Sequence, residues 1–306
     1  MMQPADPPSL SLATPGAPAL IRFAFQGERG AFSEDAGRRF FKQPALALPQ
    51  REFEDLFAAV EKGDADAAVV PVENTLAGAI NKNLDLLLER ELVIVGEVVL
   101  RVVHNVIAMP GTQLSQVRRI YSHPVALAQC EHFLRAHPAI EAVAAYDTAG
   151  SVKQIMQTAR PDEAAIAGAP AAIVYGAQIL VAGVESSPQN FTRFMVVTRP
   201  HSTVAAGPAQ ASGSLKTSLV VRLNHQPGGL HRALAAFADD SINLTKIESR
   251  PIAGRPFEYS FYLDFLGGPD DPAVARALAK LQAAVESLRV LGTYPRAEAP
   301  ESTTSG

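Results

Sequence analysis

The 306-residue sequence contains a single cysteine, Cys130. A lone thiol cannot close an intrachain disulfide and provides no cysteine cluster for zinc, which points to a reducing compartment, with the cytoplasm as the expected location. Basic residues are in no excess: 27 Lys and Arg stand against 31 Asp and Glu, for a net charge of −4. With no long basic run, a nucleic-acid partner is not expected. No apolar run reaches membrane-spanning length, so no membrane partner is expected either. The first 19 residues carry no Lys or Arg and are rich in Pro, Ala and Ser. They lack the basic start of a secretory or transit signal, and residues 1–20 read as a disordered arm. Metal-ligand clusters and a dinucleotide fingerprint are also missing, so no metal and no cofactor is expected.

What is present is an alternation of strands and helices that runs from Ile21 to about residue 200. IRFAFQ at 21–26 reads as a strand, and Gly27 and Gly30 permit a tight turn before a helix that Ser33 can cap. Phe53, Leu56, Phe57 and Val60 fall at helical spacing. Ala67 to Val70 form a buried strand that Pro71 is expected to stop. Glu73, Asn74 and Thr75 then stand at its carboxyl end, and Gly78 opens the next helix. Ligands of open α/β sheets bind at such ends.

ELVIVGEVVLRVVHNVIAM, 91–109, reads as two strands carrying the chain between lobes. Ser122 and Pro124 are helix-start residues, Gln129 lies in the second turn, and Leu127, Cys130 and Leu134 share one helical face. Val143 to Tyr146 read as a strand, followed by a helix capped by Asp147 or Thr148; 164–176 reads as strand, turn and helix. Such alternation implies two α/β lobes with parallel sheets. After a Ser-, Ala-, Gly- and Pro-rich stretch over 201–214, a βαββαβ unit follows: strand 216–223, helix 228–239, strands 243–250 and 257–266, helix 272–286 and strand 288–294.

The stretch with most chemical promise is QNFTRFMVV, 189–197, in which a polar turn feeds an apolar strand. Thr192 offers a hydroxyl and Arg193 a planar fork suited to a carboxylate. Two classes of function share a two-lobed layout: an enzyme, or a sensor that binds a small acid without transforming it. The combination of Asn74, Gln129, Thr192 and Arg193 exceeds what binding alone requires.

In this order, GERGAFSE, PVENTLAGAI, YSHPVALAQC, YDTAGSV, AAIAGAPAA and NFTRF resemble the prephenate and arogenate dehydratase family. NHQPGGLHRALAAFADDSINLTKIESRP resembles the ACT domain, an amino-acid sensor. The resemblance implies an α/β fold: a two-lobed, periplasmic-binding-protein-like catalytic domain with parallel sheets over 21–200, its second lobe about 103–183. A ferredoxin-like βαββαβ ACT domain would occupy 215–296, with a disordered tail over 297–306.

It also implies a carbon–oxygen lyase that converts prephenate to phenylpyruvate in phenylalanine biosynthesis, with arogenate as the alternative substrate. Thr192 would be the general acid, and Asn74 and Gln129 would orient the reacting groups. Arg193, Phe194, Glu73, Thr75, Ser122, Thr148 and Gly30 would contact substrate. The implied partners are L-phenylalanine as effector and further copies of the chain, in a homodimer or homotetramer. The effector would be held by Gly228, Gly229, Leu230, Glu248, Ser249, Arg250 and Pro251. Two departures from the family pattern are Gly168, in place of a frequent Ser, and Gln226, where Gly is common.

Overall fold

The computed structural model describes residues 20–41, 43–204, 214–224 and 226–297. Apart from Leu20, the expected N-terminal arm lies outside the described residues, as do most of the 201–214 linker and the tail beyond Ala297. The first lobe holds β1 (Ile21–Gln26), α1 (Phe32–Phe41), β2 (Ala45–Gln50), α2 (Phe53–Lys62), β3 (Ala67–Asn74), β4 (Gly78–Ala79), α3 (Asn81–Glu89) and β5 (Val93–Arg101). The chain then enters a second lobe of β6 (Asn105–Ala108), β7 (Arg119–Ser122), α4 (Pro124–Gln129), α5 (Glu131–Ala136), β8 (Glu141–Ala144), α6 (Thr148–Thr158), β9 (Glu163–Ala167), α7 (Ala169–Tyr175) and β10 (Gln178–Val181). β11 (Phe191–Thr198) returns it to the first sheet.

Strand order is β2-β1-β3-β11-β5 in the first lobe, with β4 on the end of β3, and β10-β6-β9-β7-β8 in the second. β1, β2 and β3 are parallel, as are β7, β8 and β9. The strands next to the crossings differ: β11 is antiparallel to β3 and β5, and β6 to β9 and β10. Each lobe therefore has a parallel core and an antiparallel flank where the chain enters or leaves. Both faces of the central strands are covered, which explains their unbroken apolar runs. On β1, Phe23 and Phe25 face one core and Ala24 the other, all fully buried.

Three local expectations are corrected. β3 does not stop at Pro71 but continues to Asn74; its pairing with β1 has ended at Val69, so the missing N–H breaks no bond on that side. Gly78, at φ +82°, forms the short β4 instead of opening the helix, which starts at Asn81. The helix after Ser122 is capped by His123, whose Nδ1 accepts from the Val125 N–H, and it breaks at Cys130 into α4 and α5. Leu127, Cys130 and Leu134 still pack into one core, and burial, with Glu185 nearby, pushes the Cys130 thiol up to about 12. Such a thiol is inert at neutral pH.

The C-terminal unit consists of β12 (Leu215–Arg222), α8 (Gly229–Ala238), β13 (Leu244–Ile252), β14 (Arg255–Leu266), α9 (Pro272–Ala284) and β15 (Ser287–Pro295). Its antiparallel sheet, in the order β13-β14-β12-β15, carries both helices on one face, where Phe237 of α8 and Leu281 of α9 share a core with Leu219 and Phe265 of the sheet. The other face docks on the first lobe. There Val220, Tyr262, Leu291 and Tyr294 share a core with Leu84, Ile94 and Met195, and the Tyr262 hydroxyl donates to the Leu84 carbonyl at 2.5 Å. At Gly292 the approach is so close that a Cβ would collide with the Ile94 carbonyl.

Candidate active site

A cavity of about 380 Å³ lies between the lobes, a volume suited to a small organic acid. Asn74, Gln129, Thr192, Thr148 and Phe194 line it, together with His104. How Asn74 comes to face it depends on a β-bulge. Along β11 and β3 the register pairs Thr192 with Asn74 and Arg193 with Glu73, but Phe194 with Pro71, so Val72 is the extra residue. Side chains alternate along a strand, so in a regular ladder Asn74, three residues beyond the cleft-facing Pro71, would point away from the cleft. With the bulge, Asn74 and Thr192 face the cavity together, and Glu73 and Arg193 face the C-terminal unit.

The polar wall is ordered in one direction. Asn74 Oδ1 accepts from the backbone N–H groups of Leu76 (3.0 Å) and Ala77 (2.9 Å), which fixes that atom as the oxygen. Nδ2 must then donate, and it lies 3.0 Å from Thr192 Oγ1, 2.8 Å from Asn190 Oδ1 and 3.1 Å from the Phe191 carbonyl. Because Thr192 Oγ1 accepts from Asn74, its own hydrogen is left for another partner. Gln129 Nε2 reaches Asn74 Oδ1 at 3.4 Å, while Gln129 Oε1 accepts from Asn190 at 3.0 Å and from His104 Nε2 at 2.9 Å. That contact places the His104 proton on Nε2 in the neutral ring.

Other expected substrate contacts lie elsewhere. The Arg193 guanidinium donates to Glu97 (2.6 Å), Asp264 (2.5 Å) and the Tyr294 hydroxyl (3.0 Å), behind the cleft. Burial opposes its charge, but Asp264, Tyr294 and Glu97 outweigh that and hold its pKa above the ordinary value. Glu73 lies 3.1 Å from Lys246. Thr75 Oγ1 donates to the Gln189 carbonyl (2.7 Å) and accepts from Phe191 N–H (2.9 Å), pinning the turn ahead of β11 from outside the cavity. Ser122 is fully buried and donates to the Ile166 carbonyl at 2.6 Å. Gly30 serves lobe contact instead: a Cβ there would lie 2.6 Å from Ala171 Cα, and its φ is +86°.

In the C-terminal unit, Gly228 (φ +75°), Gly229 and Leu230 form the start of α8. Glu248, Ser249, Arg250 and Pro251 lie on β13, which β14 separates from β12, the strand leading into that turn. Arg250 makes a bidentate pair with Asp85 of α3, at 2.8 and 2.6 Å.

The sequence reading missed His104 and Asn190. A buried His between two strands carries no motif, and Asn190 stood in a quoted motif without an assigned role. Burial lowers the His104 pKa, against the opposing influence of Gln129 and Glu185. A histidine with a depressed folded pKa is neutral in the fold and protonated first in the unfolded chain. Its contribution to stability is complete above the unfolded value of about 6.5 and is lost as pH falls from there towards the folded pKa. His104→Gln, which keeps a donor for Gln129, should flatten the acid limb of a stability–pH curve by up to about 1.4 kcal/mol per pH unit. Identical slopes for both proteins below pH 6.5 would show that His104 does not titrate in this way.

Among the described residues no group of three or more His, Cys, Asp or Glu is placed to hold a metal, and no helix is long and apolar enough to cross a membrane. Two family models match the chain, prephenate dehydratase over residues 23–202 and the ACT domain over 217–283. The chain belongs to the prephenate dehydratase family. It is 42% identical over 284 residues to the chloroplastic arogenate dehydratase/prephenate dehydratase 2 of Arabidopsis thaliana, covering 90% of this chain and 73% of that one. Among solved structures, the prephenate dehydratase of Arthrobacter aurescens in complex with L-Phe superposes with a TM-score of 0.79 at 34% identity, covering 90% of each chain. GqqA, described as a novel type of quorum quenching acylase, gives 0.81 at 36% identity, covering 90% of this chain and 97% of its own. As a prephenate dehydratase family member with an ACT domain, the chain is a lyase with a regulatory unit.

Proposed function

We propose that this chain removes carbon dioxide and the ring hydroxyl of prephenate in one elimination, giving phenylpyruvate, under feedback control by L-phenylalanine. The bond to the ring carboxylate breaks and its electron pair enters the forming aromatic ring. The carbon–oxygen bond opposite breaks in the same step, and the departing hydroxide takes a proton to leave as water. The observation that carries this reading is the Asn74-to-Thr192 hydrogen bond, which leaves the Thr192 proton for that oxygen. Regaining a proton from solvent resets the residue.

With Arg193 turned away, carboxylate binding passes to other donors. The first turn of α1 meets the cavity at Phe32 and Ser33, and its leading N–H groups have no intrahelical acceptor. We assign one substrate carboxylate to that turn, with Thr148 and Gln129 as neutral neighbours. Thr75, Ser122, Gly30 and Glu73 shape the site from behind.

The homodimer or homotetramer we propose would form through the C-terminal sheet, where β13 is an edge strand and Ile247, Phe257 and Tyr259 are exposed. Pairing across that edge would unite the Gly228–Leu230 turn of one copy with Glu248–Pro251 of another around phenylalanine. The buried, unpaired Cys130 suits a reducing cytoplasm.

The test is turnover by purified protein, with prephenate, arogenate and an acyl amide compared by kcat/KM and with prephenate repeated in the presence of phenylalanine. We expect phenylpyruvate from prephenate at the highest kcat/KM, and a lower rate with phenylalanine. A higher kcat/KM for arogenate would make the chain an arogenate dehydratase, and hydrolysis of the amide alone would make it an acylase.

A further inference from the structure

Directly behind the catalytic pair, two cross-strand pairs of opposite charge face each other across the domain junction. On the catalytic side Arg193 and Glu73 are register partners on β11 and β3. They are one residue away from Thr192 and Asn74, which are also register partners. On the ACT side Asp264 and Lys246 are register partners on β14 and β13. Each cation meets the opposite anion: Arg193 to Asp264 at 2.5 Å and Lys246 to Glu73 at 3.1 Å, with Arg193 and Glu73 themselves 4.0 Å apart. Arg193 and Asp264 are nearly buried, with side chains 11% and 4% exposed, so water screens their attraction little, whereas Lys246, 7% exposed, meets a Glu73 that is 40% exposed and partly screened.

We propose that Glu73, Arg193, Lys246 and Asp264 form a clasp through which the ACT unit sets the spacing of Asn74 and Thr192, making Lys246 and Asp264 positioning residues for the reaction although they lie outside the catalytic domain. The inference rests on the proposed phenylalanine control. β13 continues from Lys246 straight into Glu248–Pro251, the stretch assigned to the effector, so a shift of that strand moves Lys246 and, through it, Glu73. β3 is bulged at Val72, next to Glu73, where the ladder is irregular. A pull on Glu73 or Arg193 therefore reaches the Asn74–Thr192 bond in one residue. Effector binding that favours a displaced β13 would lengthen that bond and lower kcat, as the differential affinity required for coupling.

The test is a double-mutant cycle on full-length protein with Lys246→Met and Glu73→Gln, with Asp264→Asn as a separate probe of the other arm. Each is assayed for phenylalanine inhibition of prephenate turnover and, by calorimetry, for phenylalanine binding. We expect each single variant to weaken inhibition at a fixed bound fraction by about tenfold, within the usual range of coupling between sites. The double variant should lose no more than either single, because both remove one link.

Wild type that phenylalanine does not inhibit would dismiss the regulatory reading, and the clasp with it. Wild type that is inhibited, with variants that bind and are inhibited equally well, would dismiss the clasp alone. Additive losses in the double variant, or loss of phenylalanine binding itself, would assign these residues to the effector site or to folding and also overturn the clasp.

Discussion

Thr192→Val should lower kcat for prephenate by about 10²- to 10⁴-fold, the usual worth of a positioned proton donor. Valine keeps the volume and the branched shape, so Thr192, 9% exposed between β3 and β5, is replaced without a cavity. The Asn74 amide that donates to Thr192 retains Asn190 Oδ1 and the Phe191 carbonyl as acceptors, so no buried donor is orphaned. The structural cost is therefore that of one hydrogen bond, about 1 kcal/mol. A folded protein with collapsed kcat is the expected result, read from steady-state kinetics beside a thermal melt. Thr192→Ser, which restores the hydroxyl on a less constrained rotor, should recover most of the loss. Full turnover by the valine variant would remove Thr192 from the chemistry, and a serine variant as slow as the valine one would show that packing matters there and the proton does not.

How legible this site was depends on which physical signal each residue carries. Helices and strands announced themselves by apolar period: Leu230, Leu234 and Phe237 mark α8, and the Phe194–Val197 run marks β11, because burial leaves a pattern in the sequence. The facing of side chains around the bulge left none. Strand parity alone cannot place Thr192 and Asn74 on one face, since the bulge at Val72 exists only in the pairing of β3 with β11. Arg193 was misread for a related reason. A guanidinium beside a candidate acid suggests a carboxylate anchor, but its neighbours on the other face, Asp264 and Tyr294, are 71 and 101 residues away in sequence. Ser122 and Thr75 were misplaced because a hydroxyl at a strand end serves backbone as readily as ligand. His104 and Asn190 matter only through Gln129 and Asn74, and contacts between side chains so distant in sequence are invisible before folding.

The direction of the hydrogen bonds has a consequence that exceeds the loss of any single group. Asn74→Asp changes one atom, NH₂ to O, in a side chain whose other oxygen remains anchored by Leu76 and Ala77 N–H. The new oxygen cannot donate to Thr192, so Thr192 turns its own proton towards the carboxylate and away from the leaving hydroxide. The same oxygen also faces the Phe191 carbonyl and brings a negative charge to a place where negative charge develops on the substrate. The expected fall in kcat at neutral pH is about 10²- to 10³-fold, comparable to the loss of an oxyanion-hole donor.

The sign of the pH dependence separates this cause from simple damage. Burial and the facing Phe191 carbonyl disfavour the charged carboxylate and the Leu76 and Ala77 N–H groups favour it, and the balance sets the pKa at which an Asp here takes up a proton. As pH falls through that value the group gains an O–H and can donate again. The variant's kcat should therefore rise towards acid relative to the wild-type profile measured in parallel. A variant as fast as wild type at neutral pH, or slow with an unchanged profile, would mean that Asn74 does not direct the Thr192 proton.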